Sequence, residues 1–364
     1  MATTFTHVTL SQRVRFGRGL VAEHLEEEVG RIGARRVMVV STGREERDRP
    51  DLLDGIPVAL RWTEVRRHVP VAEAERARQA ARAAGADLLL ALGGGSAVGL
   101  AKAVALSDGI PVIAVPTTFA GSESTDVWGL TEGGTKTTGT DPAVLPVAVV
   151  YDPALTDRMP TDLAVASGLN ALAHCVDALW APRADPVNRA LALEGARLLA
   201  RGLRAVAAGT AGEVRDGTLL GAHLAAVAFA SSGAGLHHKV CHVLGGTYDL
   251  PHATTHAVVL PHVLALNGPA VPDAAARLAD ALGTSTGPAD GPESAVRALD
   301  ALRADLRAPT ALRDHGLAER DLADATDRCL AVVPPSNPVA VTREAMTRLL
   351  RAAWAGTPST TPAG

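Results

Sequence analysis

The sequence is poor in aromatic residues, 3% of 364, and has only three cysteines, Cys175, Cys241 and Cys329. An odd number, widely spread and without a CxxC pair, suggests neither a disulfide framework nor a zinc knuckle and fits a reducing cytosol. No uncharged apolar stretch reaches the roughly 18 residues of a membrane span. The N-terminus, Met1-Ala-Thr-Thr-Phe-Thr-His7, lacks a basic flank leading into an apolar run. Membrane spanning and secretion are therefore disfavoured, and a cytoplasmic location is expected. Charge of one sign is missing as well. The 35 Lys+Arg and 39 Asp+Glu leave a formal −4, with no basic stripe to follow a phosphate backbone, so nucleic acid is not an expected partner.

What the sequence does have is material for a core. Hydrophobic residues make up 47% and charged residues 20%, close to globular averages. The length exceeds one ordinary core and predicts two domains. In the first part, short aliphatic runs alternate with Ala/Arg/Glu-rich helical stretches, the pattern of a parallel sheet covered by helices. Strands are expected at Arg36–Ser41, Asp87–Leu92, Pro111–Val115 and Ala148–Tyr151. Helices are expected at Leu20–Ile32, Val71–Ala84 and Ser96–Ser107, stopped by Gly33, Gly85 and Gly109. From about Asp157 the pattern is purely helical, and nine amphipathic helices are expected between Leu163 and Ala355, one of them at Pro292–Leu302. The predicted layout is an α/β nucleotide-binding domain over residues 1–156 and an all-helical domain over 157–364, ending in a mobile tail, Gly356–Gly364.

Two turns of the first domain are suited to a ligand. Leu88-Leu-Leu-Ala-Leu-Gly93-Gly94-Gly95-Ser96 is a buried strand, a glycine turn and a helix start. Without Cβ atoms a diphosphate can approach the backbone, and the helix start favours its negative charge. It is not the GxGxxG fingerprint, and it follows the second expected strand rather than the first. By pattern alone it is as readily a ligand-free tight turn. The second turn, Pro116-Thr117-Thr118-Phe119-Ala120-Gly121-Ser122-Glu123, offers hydroxyls to phosphate, ribose or carboxylate, or satisfies them itself. Ligands of open α/β sheets bind at the carboxyl edge of the strands.

In the second part, six of the twelve histidines fall between His237 and His262. His238 and His242 lie four residues apart, as do His252 and His256, and Asn170 and His174 repeat the spacing; on helices each pair shares a face. Imidazoles bind transition metals, act as acids near neutral pH, or sit satisfied in a core. A single histidine favours the last reading; this density favours a catalytic cleft. Spacing does not separate metal from acid roles.

Taken together, Gly93–Ser96, Pro116–Glu123, Leu130–Gly134, Tyr151–Thr156, Ser167–His174, Leu236–Gly246 and Asp249–His256 resemble the iron-containing alcohol dehydrogenase superfamily, and in detail its maleylacetate reductase branch. The resemblance implies a dehydroquinate synthase-like fold, a nicotinamide cofactor (NADH or NADPH) held by Ser41, Gly93, Gly94, Gly95, Ser96, Thr117, Thr118 and Ser122, and a homodimer. In metal-dependent relatives four ligands are expected at the positions of Asn170, His174, His238 and His252. Asn170 replaces the carboxylate, and a neutral amide is a poor ligand for a divalent cation, so no metal is expected. The implied reaction is reduction of 2-maleylacetate, an unsaturated oxo-dicarboxylate, to 3-oxoadipate. The candidate catalytic side chains are His242, His252, His256, His238, Lys239 and His174; those for the substrate are Asn170, His237 and Phe119. Phe119 stands where the branch usually has Tyr, and Val339 where it has Arg, so a related oxo-acid falls within the reading. The loop Ser41–Arg44 offers no acidic residue to a ribose. The rivals are a metal-dependent alcohol or polyol dehydrogenase of the same fold, a dehydroquinate synthase-like lyase, and a nucleotide-binding protein without catalysis.

Overall fold

The computed structural model describes residues 4–133, 135–283 and 293–358. The expected tail beyond 358, Gly134 and the start of the helix expected from Pro292 lie outside these residues. The chain forms two compact units, one running from Leu10 to Met159, the other containing the described residues up to Thr9 and those from Pro160 onward.

In the first unit, strands β1 (Arg13–Phe16), β2 (Val37–Val40), β3 (Val58–Trp62), β4 (Leu88–Gly93), β5 (Val112–Pro116) and β8 (Ala148–Tyr151) form a six-stranded sheet in the order β1-β8-β5-β4-β2-β3. All neighbours run parallel. The four inner strands are buried at every position, as strands covered on both faces must be. Alternate residues face one way: Val37, Val39, Leu88, Leu90, Leu92, Ile113, Val115, Ala148 and Val150 pack with Val21, Leu25 and Val29 of helix α1 (Val21–Ile32). The other helices of this unit are α2 (Arg44–Asp48), α3 (Val71–Ala84) and α4 (Gly95–Asp108); β6 (Val127–Glu132) and β7 (Thr135–Thr140) form a separate antiparallel hairpin. Gly33, Gly85 and Gly109 end α1, α3 and α4 at φ 77°, 59° and 63°, the left-handed region in which glycine has no Cβ penalty.

Among the described residues eight strands are present where four were expected, and the glycine turn follows the fourth strand. The missed β1 and β3 are the sheet's two edges. Their residues are largely exposed or half-buried, so they carry no continuous apolar run to betray them.

The second unit is helical: α5 (Thr161–Ala178), α6 (Pro186–Ala207), α7 (Glu213–Ser232), α8 (Leu236–Tyr248), α9 (His252–Asn267), α10 (Pro272–Leu282), α11 (Ser294–Asp305), α12 (Leu322–Ala331) and α13 (Arg343–Ala355). Every residue of α5 from Ala164 to Ala178 is buried, so its polar side chains sit inside the unit. Helices α6 and α7 meet at their backbones: a Cβ on Gly195 would lie 3.1 Å from the Gly221 carbonyl oxygen. A second core joins α8, α9, α12 and α13 through Val240, Leu244, Val259, Val263, Cys329, Met346 and Leu350. The N-terminal segment joins this unit through His7, whose Nδ1 is 2.7 Å from Asp185 Oδ2; Asp185 also accepts the first backbone N–H groups of α6, a side-chain N-cap. No single helix among the described residues is long and apolar enough to cross a membrane.

Candidate functional site

At the carboxyl edge of the sheet, β4 ends in Gly93 and β5 in Pro116, paired in register. Gly93 has φ 144°, open only to glycine, and its carbonyl accepts the Thr117 N–H at 3.1 Å. Gly94 precedes α4 with extended backbone and no side-chain cap, so the first N–H groups of this helix keep their capacity for an anion. A Cβ on Gly94 would stand 2.9 Å from Thr118 Cγ2, and one on Gly95 3.3 Å from the Ala120 Cβ. The two turns singled out in the sequence thus lie against each other with no room for side chains between, a cradle that fits a diphosphate.

Next to them, Ser41 follows β2. Its hydroxyl donates to Glu46 Oε1 at 3.2 Å and accepts the Gly43 N–H at 3.0 Å. Thr117 donates to Glu45 Oε1 at 3.2 Å. Two carboxylates of α2 therefore stand at this edge: the loop Ser41–Arg44 itself brings none, and Glu45 and Glu46 follow it directly. Ser122 and Phe119 are also tied into the fold. Ser122 accepts Lys102 Nζ through its carbonyl at 2.5 Å, with the Thr125 and Val127 carbonyls at 2.7 and 3.0 Å. Burial pushes the Lys102 amine down to about 7, against Glu123 and Asp126, which raise it. This buried amine pins the loop. The Phe119 ring is 2% exposed and contributes packing.

In the helical unit, α5 presents Asn170, His174 and Asp177 at i, i+4 and i+7, one face of a helix. The glycine-led start of α8 supplies His237 and His238, and α9 supplies His256. All six are buried. The His174 and His238 rings stack with centroids 4.9 Å apart, and Phe229 lies 4.3 Å from His238. His256 is 4.7 Å from His238 and 4.4 Å from His252, centroid to centroid. His237 Nε2 is 2.9 Å from His256 Nδ1 and 3.6 Å from Cys241 Sγ. Burial, reinforced by the neighbouring imidazoles, pushes His174 and His237 down to about 3 and His238 and His256 well below the usual range. These rings are neutral at pH 7.

The cluster brings together His174, His238, His256, His237 and Asn170 as expected, and it extends to His252. His242 and His252 are exposed, their rings stacked with centroids 6.1 Å apart. Lys239 is exposed beside the buried His238 and Val240, so it turns to a different side of α8. Sequence reasoning missed Asp177. Its Oδ2 receives His238 Nδ1 at 2.7 Å and the backbone N–H groups of Gly235 and His238 at 3.1 Å each. Burial raises its carboxyl to about 7, opposed by these backbone donors. The signal was an acid three residues after His174, within the apolar run that follows it.

Buried atoms without a partner among the described residues include Asn170 Oδ1, His174 Nδ1, His238 Nε2 and His256 Nε2. Asn170, His174, His238 and His252 offer three imidazoles and an amide, with no anionic donor. A second group, His237, Cys241 and His256, has ligand atoms within 4.8 Å of one another. Its nitrogen pair at 2.9 Å is at hydrogen-bond distance, and burial pushes the Cys241 thiol well above its usual range.

Two family models match the chain: iron-containing alcohol dehydrogenase over residues 11–153 and the C-terminal domain of that family over residues 164–354. Maleylacetate reductase 2 of Cupriavidus pinatubonensis is 45% identical over 350 residues, 94% of this chain and 95% of the relative. Among solved structures, an iron-containing alcohol dehydrogenase from Corynebacterium glutamicum superposes with a TM-score of 0.93 at 49% identity, covering 99% of each chain. Maleylacetate reductase from Agrobacterium tumefaciens superposes with a TM-score of 0.90 at 37% identity, covering 98% of this chain and 100% of that one. The sheet with its glycine cradle, the histidine-bearing helices and these full-length likenesses agree: the chain is an NAD(P)H-dependent oxidoreductase belonging to the iron-containing alcohol dehydrogenase family, on its maleylacetate reductase branch.

Proposed function

We propose that the chain reduces 2-maleylacetate, or a closely related unsaturated oxo-dicarboxylate, to 3-oxoadipate or its counterpart. The observation that carries this reading is the 45% identity to a maleylacetate reductase over nearly the whole of both chains. Gly94, Gly95 and Ser96 hold the diphosphate of the dinucleotide at the start of α4, with Thr117 and Thr118 beside it. Bound NADH or NADPH supplies the hydride. The Glu45 carboxylate beside Thr117 repels a 2′-phosphate, while Glu46 is paired with Arg61, so NADH is the proposed donor.

The substrate gains electron density on its carbonyl oxygen and a proton on carbon. The exposed imidazoles His242 and His252 are the groups for both tasks: a ring N–H stabilises the developing oxyanion and an imidazole passes the proton. The buried His174, His237, His238 and His256 stay neutral and shape the wall behind them.

We further propose that the reaction needs no metal. Support comes from the donor set: Asn170 leaves the family's ligand positions without an anion, and the nearby His237, Cys241 and His256 are hydrogen-bonded to one another. The enzyme is proposed to be a cytoplasmic homodimer acting on a small molecule. Oxidation of NADH followed at 340 nm, with maleylacetate and with simple aldehydes, each with and without EDTA, tests the reading. Turnover of maleylacetate unaffected by chelation supports it; turnover confined to aldehydes, or abolished by EDTA, overturns it. Analytical ultracentrifugation checks the dimer.

A further inference from the structure

Among the described residues the Asp177 carboxylate is the one acid inside the imidazole cluster, and its contacts fix more than a helix end. Oδ2 lies 3.1 Å from the backbone nitrogens of Gly235 and His238. Both are N–H groups that only donate, so Oδ2 is an acceptor whatever the charge of the carboxyl. With the carboxyl ionised Oδ2 has no proton to give, so the third contact, His238 Nδ1 at 2.7 Å, also donates. Nδ1 carries the proton. In a neutral imidazole the other nitrogen is then a bare lone pair, and His238 Nε2 is buried without a partner among the described residues.

The position is built for this approach. A Cβ on Gly235 would lie 2.5 Å from Asp177 Oδ1, although Gly235 has an ordinary φ of −86°. Glycine is needed there for space and not for backbone conformation. Phe229 and His174 both pack against the ring, with their own centroids 4.7 Å apart.

We infer that Asp177 is a positioning residue that locks His238 as a hydrogen-bond acceptor at Nε2. His238 thus receives a hydrogen bond from a hydroxyl or a water, and it has no Nε2 proton to give. Resting on the proposed reduction, this assigns proton delivery to other imidazoles.

The test is made on the intact protein labelled with 15N-histidine, at pH 8, where the rings are neutral. Long-range proton–nitrogen spectra, with the His238 signals assigned by their loss in His238→Gln, read which nitrogen is protonated. The expected result is Nδ1–H with a bare Nε2; a proton on Nε2 overturns the inference, with or without any activity on maleylacetate. Asp177→Asn keeps an oxygen for the three donors and should keep this tautomer. Asp177→Leu removes it, and kcat should fall on the order of 10–100-fold while KM for NADH stays unchanged. Wild-type kcat in a folded Asp177→Leu protein would also overturn it; if that variant does not fold, the wild-type spectrum decides alone.

Discussion

His237 Nε2 lies 2.9 Å from His256 Nδ1, and both rings are wholly buried. One imidazole donates and the other accepts, so each satisfies a group that water cannot reach. Replacing His256 with Leu keeps the volume and leaves His237 Nε2 only the weak Cys241 Sγ contact at 3.6 Å. Leaving a buried polar group unpaired costs about 1–3 kcal/mol. Urea denaturation of His256→Leu should therefore show a lower midpoint by that free energy, with an unchanged slope. Stability equal to wild type would mean that the pair contributes nothing net.

Buried neutral histidines also set the acid limit of the fold. Burial pushes His223 and His262 down to about 4, with Arg303 adding to the effect at His262, and His174 and His237 go down to about 3. In the unfolded chain a histidine titrates near 6.5. Unfolding therefore takes up protons between about pH 6.5 and these folded values, and stability rises with pH in that window. The contribution is whole above about 6.5 and is lost as the pH falls towards 4. Urea midpoints measured from pH 4.5 to 7.5 should climb steadily, and His262→Asn should flatten the climb. A midpoint independent of pH over this range would contradict the assignment of neutral buried rings.

The glycine cradle makes a separate prediction. Gly94 has an ordinary φ of −81°, so alanine is tolerated by the backbone and the effect is one of space. The new methyl group would meet Thr118 Cγ2 at 2.9 Å and fill the approach to the start of α4. Gly94→Ala should weaken NADH binding about tenfold, which is about 1.4 kcal/mol, with little change in melting temperature. Fluorescence titration with NADH measures it. Equal affinity in the folded variant would remove the diphosphate from this turn.

Much of this architecture is legible in the sequence because the governing signals are local. The inner strands β2, β4, β5 and β8 are continuous aliphatic runs, and α3 and α10 have the ends that their proline and glycine punctuation predicts. The edges β1 and β3 are not legible, since half-exposed strands between charged residues look like loops. Nor is the hairpin of β6 and β7 marked by apolar alternation, its second strand being Thr-Lys-Thr-Thr-Gly-Thr. At the site, the i,i+4 histidines are visible because helical spacing is a local rule. Asp177 is hidden because its partner His238 is 61 residues away, and Glu45 is hidden because its contact with Thr117 depends on how β2 and β5 flank β4. Long-range pairings of this kind are set by topology, which local periodicity does not encode.

Asn170 carries the strongest test of the proposed metal independence. Its Oδ1 is buried and unpartnered among the described residues, on the helical face that also bears His174. An amide oxygen has the shape of a carboxylate oxygen without its charge, and divalent cations in nitrogen and oxygen sites depend on that charge. Asn170→Asp changes one atom and restores an anion beside the imidazoles. The variant should bind zinc or iron at least tenfold more tightly than wild type, read by elemental analysis after dialysis against a buffered metal. Buried without that cation, the new carboxylate lacks a counter-charge, so the metal-free variant should unfold at a lower temperature and recover on adding zinc. Equal metal content in the two proteins would mean that charge at this position does not decide metal dependence here.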